Sequence, residues 1–400
     1  MTLSHIASRS ALATAMLVAL SAPAVARAAS PSSRDTVLAD TSAAGRATAD
    51  SAARPAAPRG SGRLTVHGYL TQGFATLRGP VQFYGMTGRG SADFRYAALQ
   101  ARYALGARDL VLVQANHRRL GRSPITDFES AVNLNWAFYE HTFGDGTGVK
   151  VGRVPIPRGI YNQLRSVGVA LPTYRPPVVF YDEGAYYSET INGVVASHTF
   201  AADRAWSVEA NLYAGGWRSL FYDTWSETYA VTKGRMRDAV GGQLWLETPL
   251  EGVRVGTAVQ RYRVASQDIL PTSEVKEYHL SIDATREHGF VRAEAELQNY
   301  GTDKFYSGYV QLGAPIVGGL HGVVELQRSR DTDVRYGDGS LPSSFMWHRS
   351  DGVGLSYVVS PQLVLKAEHH WDRGIQLEQP GDPMSPPRFR YVMASVSASF

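Results

Sequence analysis

The chain has 400 residues, no cysteine and a formal net charge of +4, with aromatic side chains at 10% and 39 glycines. No apolar run approaches the eighteen or more residues of a membrane-crossing helix, and without cysteine no disulfide framework is possible. Six Arg and three Asp fall in the first 62 residues, leaving 34 basic and 33 acidic side chains beyond them, a balance with no electrostatic footprint for nucleic acid.

Arg9 precedes an apolar run from Ala11 to Leu20, followed by Pro23 and the small-residue sites Ala24-Val25-Ala26 and Ala26-Arg27-Ala28. This pattern predicts a signal peptide over residues 1–28 and an exported protein. Residues 29–62 are Ala, Ser, Pro, Arg and Thr with little aliphatic content beyond Val37 and Leu38. They cannot bury enough apolar surface to order, so they read as a disordered tether.

From residue 63 to residue 400 short alternating segments follow one another, and no amphipathic helical period interrupts them. Sixteen strands are predicted: Leu64–Thr76, Ala92–Ala104, Ala107–Arg118, Glu129–Phe143, Gly148–Val154, Thr190–Phe200, Ala205–Trp217, Ala239–Thr248, Val253–Val264, Val275–Thr285, Phe290–Tyr300, Lys304–Ala314, Leu320–Arg330, Phe345–Val359, Gln362–Trp371 and Arg388–Phe400. Connections after even-numbered strands are short, such as Leu105-Gly106 and Ser360-Pro361, whereas those after odd-numbered strands are mostly long, above all Pro155–Glu189. A soluble sandwich has no reason to sort loop length by parity.

Alternation assigns each strand two faces. Val132, Leu134, Trp136 and Phe138 are expected on one face and Asn133, Asn135, Tyr139 and His141 on the other. Leu244 and Leu246 oppose Gln243 and Glu247, and Val291, Ala293, Ala295 and Leu297 oppose Arg292, Glu294, Glu296 and Gln298. The polar set implies a charged, wet interior. In the last segment Val392, Ala394, Val396 and Ala398 alternate with Ser395, Ser397 and Ser399 and lead to the terminal Phe400.

That strand resembles the last strand of bacterial outer-membrane β-barrels, in which the assembly machinery reads a terminal Phe. With the sorted loops, the resemblance implies an all-β, transmembrane antiparallel barrel of about sixteen strands over residues 63–400, located in the outer membrane, with the tether in the periplasm and the fifth connection folded into the lumen. Gly152-Arg153-Val154-Pro155-Ile156-Pro157-Arg158, followed by Tyr174-Arg175-Pro176-Pro177, resembles the corresponding stretch of a poorly characterised porin-like subgroup. Prolines there favour a stiff, extended path. Arg153, Arg158, Arg165 and Arg175, with Asp182 and Glu183 at the far end, are the candidate constriction charges.

Wall candidates divide by sign. Arg102, Arg118 and Lys150 stand on early strands; Glu209, Glu247, Glu277, Asp283, Glu294 and Glu296 stand later, with Arg254 and Arg292 among them. Such a transverse field favours small polar solutes, and the Arg-rich connection implies a slight anion preference. The function expected is passive diffusion of small hydrophilic solutes and ions through a porin. The resemblance also implies a homotrimer, contact with outer-membrane lipid and lipopolysaccharide, and recognition of Phe400 by the barrel assembly machinery. The alternative is a barrel whose external loops bind a partner while its pore is closed or incidental.

Other motifs carry less. Asp331-Thr332-Asp333 begins like a calcium loop, but Arg335 stands where a third ligand is wanted. His369 and His370 are adjacent on a strand and point to opposite faces, so they cannot chelate together. No Gly-x-Ser-x-Gly, His-Glu-x-x-His or phosphate loop is present, so no catalytic residue, metal or cofactor is expected.

Overall fold

A computed structural model describes residues 63–123, 131–181, 189–202, 205–223, 230–265, 273–301, 303–332, 344–375, 378, 382 and 384–400. The expected signal peptide and tether, Asp182, Glu183 and the acidic stretch beyond Thr332 lie outside the described residues.

The strands are β1 (Leu64–Arg78), β2 (Ser91–Ala104), β3 (Asp109–Leu120), β4 (Asn133–Thr142), β5 (Gly148–Pro155), β6 (Thr190–Phe200), β7 (Ser207–Asp223), β8 (Ala230–Glu247), β9 (Val253–Val264), β10 (Glu274–Arg286), β11 (Gly289–Tyr300), β12 (Asp303–Val317), β13 (Leu320–Thr332), β14 (Ser344–Ser360), β15 (Leu363–Gly374) and β16 (Arg388–Ser399). Each pairs antiparallel with its sequence neighbours, and β1 pairs with β16, closing the barrel. At this seam Gly68 and Phe400 exchange two backbone hydrogen bonds of 3.0 Å. A Cβ on Gly68 would stand 2.0 Å from the Phe400 ring.

Aliphatics such as Leu70, Leu99, Leu212, Leu280 and Leu365 are exposed on the outer face, while Gln114, Gln243, Glu277, Gln311 and Glu325 are buried within. Only a closed sheet satisfies its own backbone in hydrocarbon, so this wall is built to cross a membrane.

Alternation misleads at three places. On β4 the register shifts where Gln114 faces Trp136 and Ala115 faces Leu134, leaving Asn135 as an extra residue. Such a bulge reverses the facing of everything beyond it. Trp136 and Phe138 therefore turn inward and are buried, and Tyr139 turns outward with 40% exposure, opposite to the expected assignment. His141 shares the face of Tyr139. Secondly, β7 and β8 pair from Ser207↔Glu247 to Asp223↔Ala230, well past the expected limits at Trp217 and Ala239. Register shifts near Gly215 and between Arg237 and Val240 break the period there. Thirdly, the interior is not uniformly wet: Trp136, Phe138, Ile191, Trp217, Met236 and Tyr262 belong to a buried cluster of fourteen residues along the inner side of β4–β11.

The bulge has a direct test, made simple by the absence of native cysteine. Bimane on Ala137→Cys or Tyr139→Cys is expected to be quenched by doxyl-labelled lipid, and bimane on Phe138→Cys to be spared. The opposite pattern would restore uninterrupted alternation.

Candidate functional site: the segment across the inner wall

Pro155 ends β5 and Thr190 begins β6, and the chain between them is drawn together at its neck. Ile156 N–H donates to the Glu189 carbonyl at 3.0 Å, and Asn162 Nδ2 donates to the carbonyls of Ile156 and Glu189 at 2.8 and 3.1 Å. The prolines do not keep the path extended as expected. It coils into 3-10 turns at Asn162–Leu164 and Gly168–Ala170 and one helical turn, α1 (Val178–Tyr181). Ile160, Tyr161, Leu164, Leu171, Phe180 and Tyr181 pack on Trp245 and Tyr309 of the wall. Burial of this apolar set, at about 25 cal/mol per Å², supplies the nondirectional part of the attachment.

Buried polar groups on distant strands supply the directional part. On β11, Glu294 accepts Ile160 N–H at 3.0 Å and Tyr309 OH at 2.6 Å, and it also accepts Tyr181 OH. Glu296 holds the Arg158 guanidinium at 2.7 Å. Tyr161 OH donates to Gln311 on β12 at 2.5 Å and accepts from Arg292 at 2.9 Å. Val179 N–H reaches Gln327 on β13 at 3.2 Å, and Tyr174 N–H reaches Glu368 on β15 at 2.5 Å. Lys366, buried on β15, donates to the carbonyls of Gly168 and Thr173 at 2.6 and 2.8 Å. Gly168 lies so close to β1 and β16 that a Cβ would meet Thr71 Oγ1 at 2.0 Å and Ser397 Oγ at 2.8 Å. These partners face inward, so the segment lies against the inner wall over much of its circumference.

The candidate charges separate accordingly. Arg158, Arg165 and Arg175 are buried, the last stacked 4.7 Å over Tyr84. Burial pushes the Arg165 guanidinium down, with Glu189 opposing; for Arg158 the burial is outweighed by Glu296 and Glu277, which hold it up. Arg153 is not with them: by register with Ala137 and Asn192 it shares the outer face with Val151 and Val194. Arg118 is buried 3.7 Å from Glu189. Arg254, Asp283 and Arg292 form one inner-wall network with contacts of 3.1 and 3.2 Å, and Glu247 stands 4.0 Å from Arg254. Glu209 accepts Asn211 Nδ2 at 2.7 Å, while Arg102 and Lys150 remain half-buried on the inner face. Glu277, His279 and Glu296 offer ligand atoms within 4.8 Å of one another, but Arg158 already sits on Glu296.

Neither a family model nor a curated protein matches the sequence. Solved structures do. OmpF of Salmonella typhi superposes with a TM-score of 0.59 at 12% identity, covering 84% of this chain and 97% of its own. An anion-selective porin from Comamonas acidovorans gives 0.55 at 12% identity, covering 84% and 99%, and the outer membrane channel DcaP of Acinetobacter baumannii gives 0.54 at 10%, covering 84% and 97%. The chain has the porin fold.

Sequence reasoning overlooked much of what holds the segment in this porin fold. Lys366, Glu368 and Gln311 were legible as inward residues of alternating strands, but nothing local marks a wall residue as a partner of a segment some two hundred residues away. Lys366→Met is expected to leave the Thr173 carbonyl without this donor and the Gly168 carbonyl with Leu171 N–H alone, at a cost of about 1–3 kcal/mol. Trypsin cleavage after Arg165 in the folded protein should rise by roughly tenfold or more; wild-type resistance in this variant would remove Lys366 from the attachment.

Proposed function

We propose that the protein is an outer-membrane channel through which small hydrophilic solutes and ions diffuse passively, with its bore narrowed by residues 156–181. The observation that carries this reading is a closed membrane wall with polar and charged inward residues, to which a long connection is fastened from within by side chains on β1, β8, β11–β13, β15 and β16. A soluble solute gains nothing from a lumen it cannot wet. The half-buried Arg102 and Lys150 on the early wall support a slight anion preference, since the loop arginines are turned into packing. The reading is of a channel rather than an enzyme, assembled as a homotrimer, inserted by the assembly machinery through the strand ending at Phe400, and surrounded by lipopolysaccharide.

One observation favours a second reading. The segment reaches most of the inner circumference, and Phe83, Tyr84 and Met86 of the first long loop are buried with Phe389 and Tyr391. Glu378 of the last loop accepts Gly85 N–H at 2.9 Å and Gln82 Nε2 at 2.5 Å, and burial pushes its carboxyl up. Such interlocking fits a barrel closed at rest whose outer loops bind a partner.

Purified, folded protein in a planar bilayer under a potassium chloride gradient separates the two. The channel reading predicts stable stepwise openings and a reversal potential of modest anion preference, shifted toward cations in Arg102→Gln/Lys150→Gln. Silence from folded protein would favour the closed barrel, and an unshifted potential would take both residues out of the conducting path.

A further inference from the structure

One group of inward side chains is arranged for more than the attachment of residues 156–181. His279 on β10 stands directly opposite Glu296 on β11, and Glu277, two residues before it on the same strand, shares its inward face. All three are buried. His279 Nε2 lies 3.4 Å from Glu277 Oε2 and 3.4 Å from Glu296 Oε1, and one donor atom of each residue falls within 4.8 Å of the other two.

Those separations are long for hydrogen bonds, which set nitrogen and oxygen roughly 2.7–3.2 Å apart. They suit a shared metal ion. Tetrahedral zinc, about 2.0–2.2 Å from each nitrogen and oxygen ligand, holds those ligands about 3.3–3.6 Å from one another. A surrounding shell also directs the two carboxylates, as it does where carboxylates ligate a metal. Glu277 accepts Tyr262 OH at 2.7 Å and, also from β9, Gln260 Nε2. Glu296 accepts Gln298 Nε2 at 3.0 Å and Ser307 Oγ of β12 at 3.1 Å. The ring of Phe180 on α1 meets the His279 ring edge-on, with 5.3 Å between centroids.

The cation that shares this place fits it poorly. Arg158 brings one positive charge to two carboxylates, and its Nη2 alone is engaged, at 2.7 Å to Glu296 and 3.1 Å to the Phe180 carbonyl. Its Nε and Nη1 are buried and meet no acceptor among the described residues. Those two nitrogens carry most of a guanidinium's N–H groups, and leaving them unpaired in a buried place is costly. A divalent ion needs no hydrogen-bond acceptor, and it balances both carboxylates.

We propose that Glu277, His279 and Glu296 form a binding site for a divalent transition-metal ion of the Zn²⁺ class, which enters in exchange for the Arg158 guanidinium. One imidazole and two carboxylates suit zinc and its neighbours, whereas Mg²⁺ and Ca²⁺ take about six or more oxygen ligands. Because Arg158 ties residues 156–181 to β11, metal occupancy and that tie oppose one another, each weakening the other by the same factor. The inference stands on the geometry of the wall and holds whether or not the bore conducts.

The test is equilibrium dialysis of the folded, full-length protein in detergent against Zn²⁺, with Mg²⁺ present in about a hundredfold excess. Wild type is expected to hold one more Zn²⁺ per chain than His279→Ala. Arg158→Met, which lacks the competing guanidinium, should bind that ion roughly tenfold more tightly than wild type. A variant in which Arg158 served the fold alone would show no such gain. Equal zinc in wild type and His279→Ala, loss of the ion to Mg²⁺, or binding by Arg158→Met no tighter than by wild type would overturn the proposal. Binding by Arg158→Met alone would overturn it too, by making the guanidinium the permanent occupant. If a variant fails to fold, Glu277→Gln stands in for His279→Ala and Arg158→Gln for Arg158→Met, with the same expected loss and gain.

Discussion

Closure of β1 on β16 is the constraint on which the rest depends. A sheet without edges leaves no backbone group unpaired in lipid, and it divides every strand into an outward and an inward set with no third option. The outward set can then be plain aliphatic surface. The inward set is free to hold Glu277, Glu294, Glu296, Glu325 and Glu368, carboxylates that no lipid face could carry. At that seam Gly68 and Phe400 exchange two backbone hydrogen bonds, and the Phe400 ring lies over the bare Gly68 backbone.

The inward carboxylates do more than wet the lumen. Glu294 and Glu296 stand two residues apart on β11 and face the same way, so a single stretch of strand presents two acceptors to the incoming segment. One takes a backbone amide and tyrosine hydroxyls, the other the Arg158 guanidinium. A buried ion pair gives little net stability against an apolar substitute, yet losing one partner is costly. Its value here is register: an amide at Ile160, a guanidinium at Arg158 and a hydroxyl at Tyr161 fit this wall in one arrangement. Lys366 does the same work on β15, four strands away, where Gly168 approaches too closely for any side chain.

Period-two alternation with loops sorted by parity was enough to read the strand number, their order and most facings from the chain alone. It failed where period two itself fails. One extra residue at Asn135 exchanged the faces of Trp136 and Tyr139, and shifts near Gly215 and Arg237 disguised the upper part of β7 and β8 as a charged loop. Of the site, the polar wall was legible and the packing of the loop was not. Arg158, Arg165 and Arg175 look alike in sequence, and only the folded wall distinguishes a carboxylate-bound guanidinium from one stacked on tyrosine.

The central claim is that residues 156–181 are fixed to the inner wall rather than suspended in the bore. Hydrogen–deuterium exchange of the folded protein tests it directly at the amides of Ile160, Tyr161, Tyr174 and Val179, which donate to Glu294, the Tyr181 hydroxyl, Glu368 and Gln327. The account predicts protection comparable to that of the wall strands β11 and β15. Exchange as fast as that of an exposed turn such as Gly144–Thr147 would contradict it.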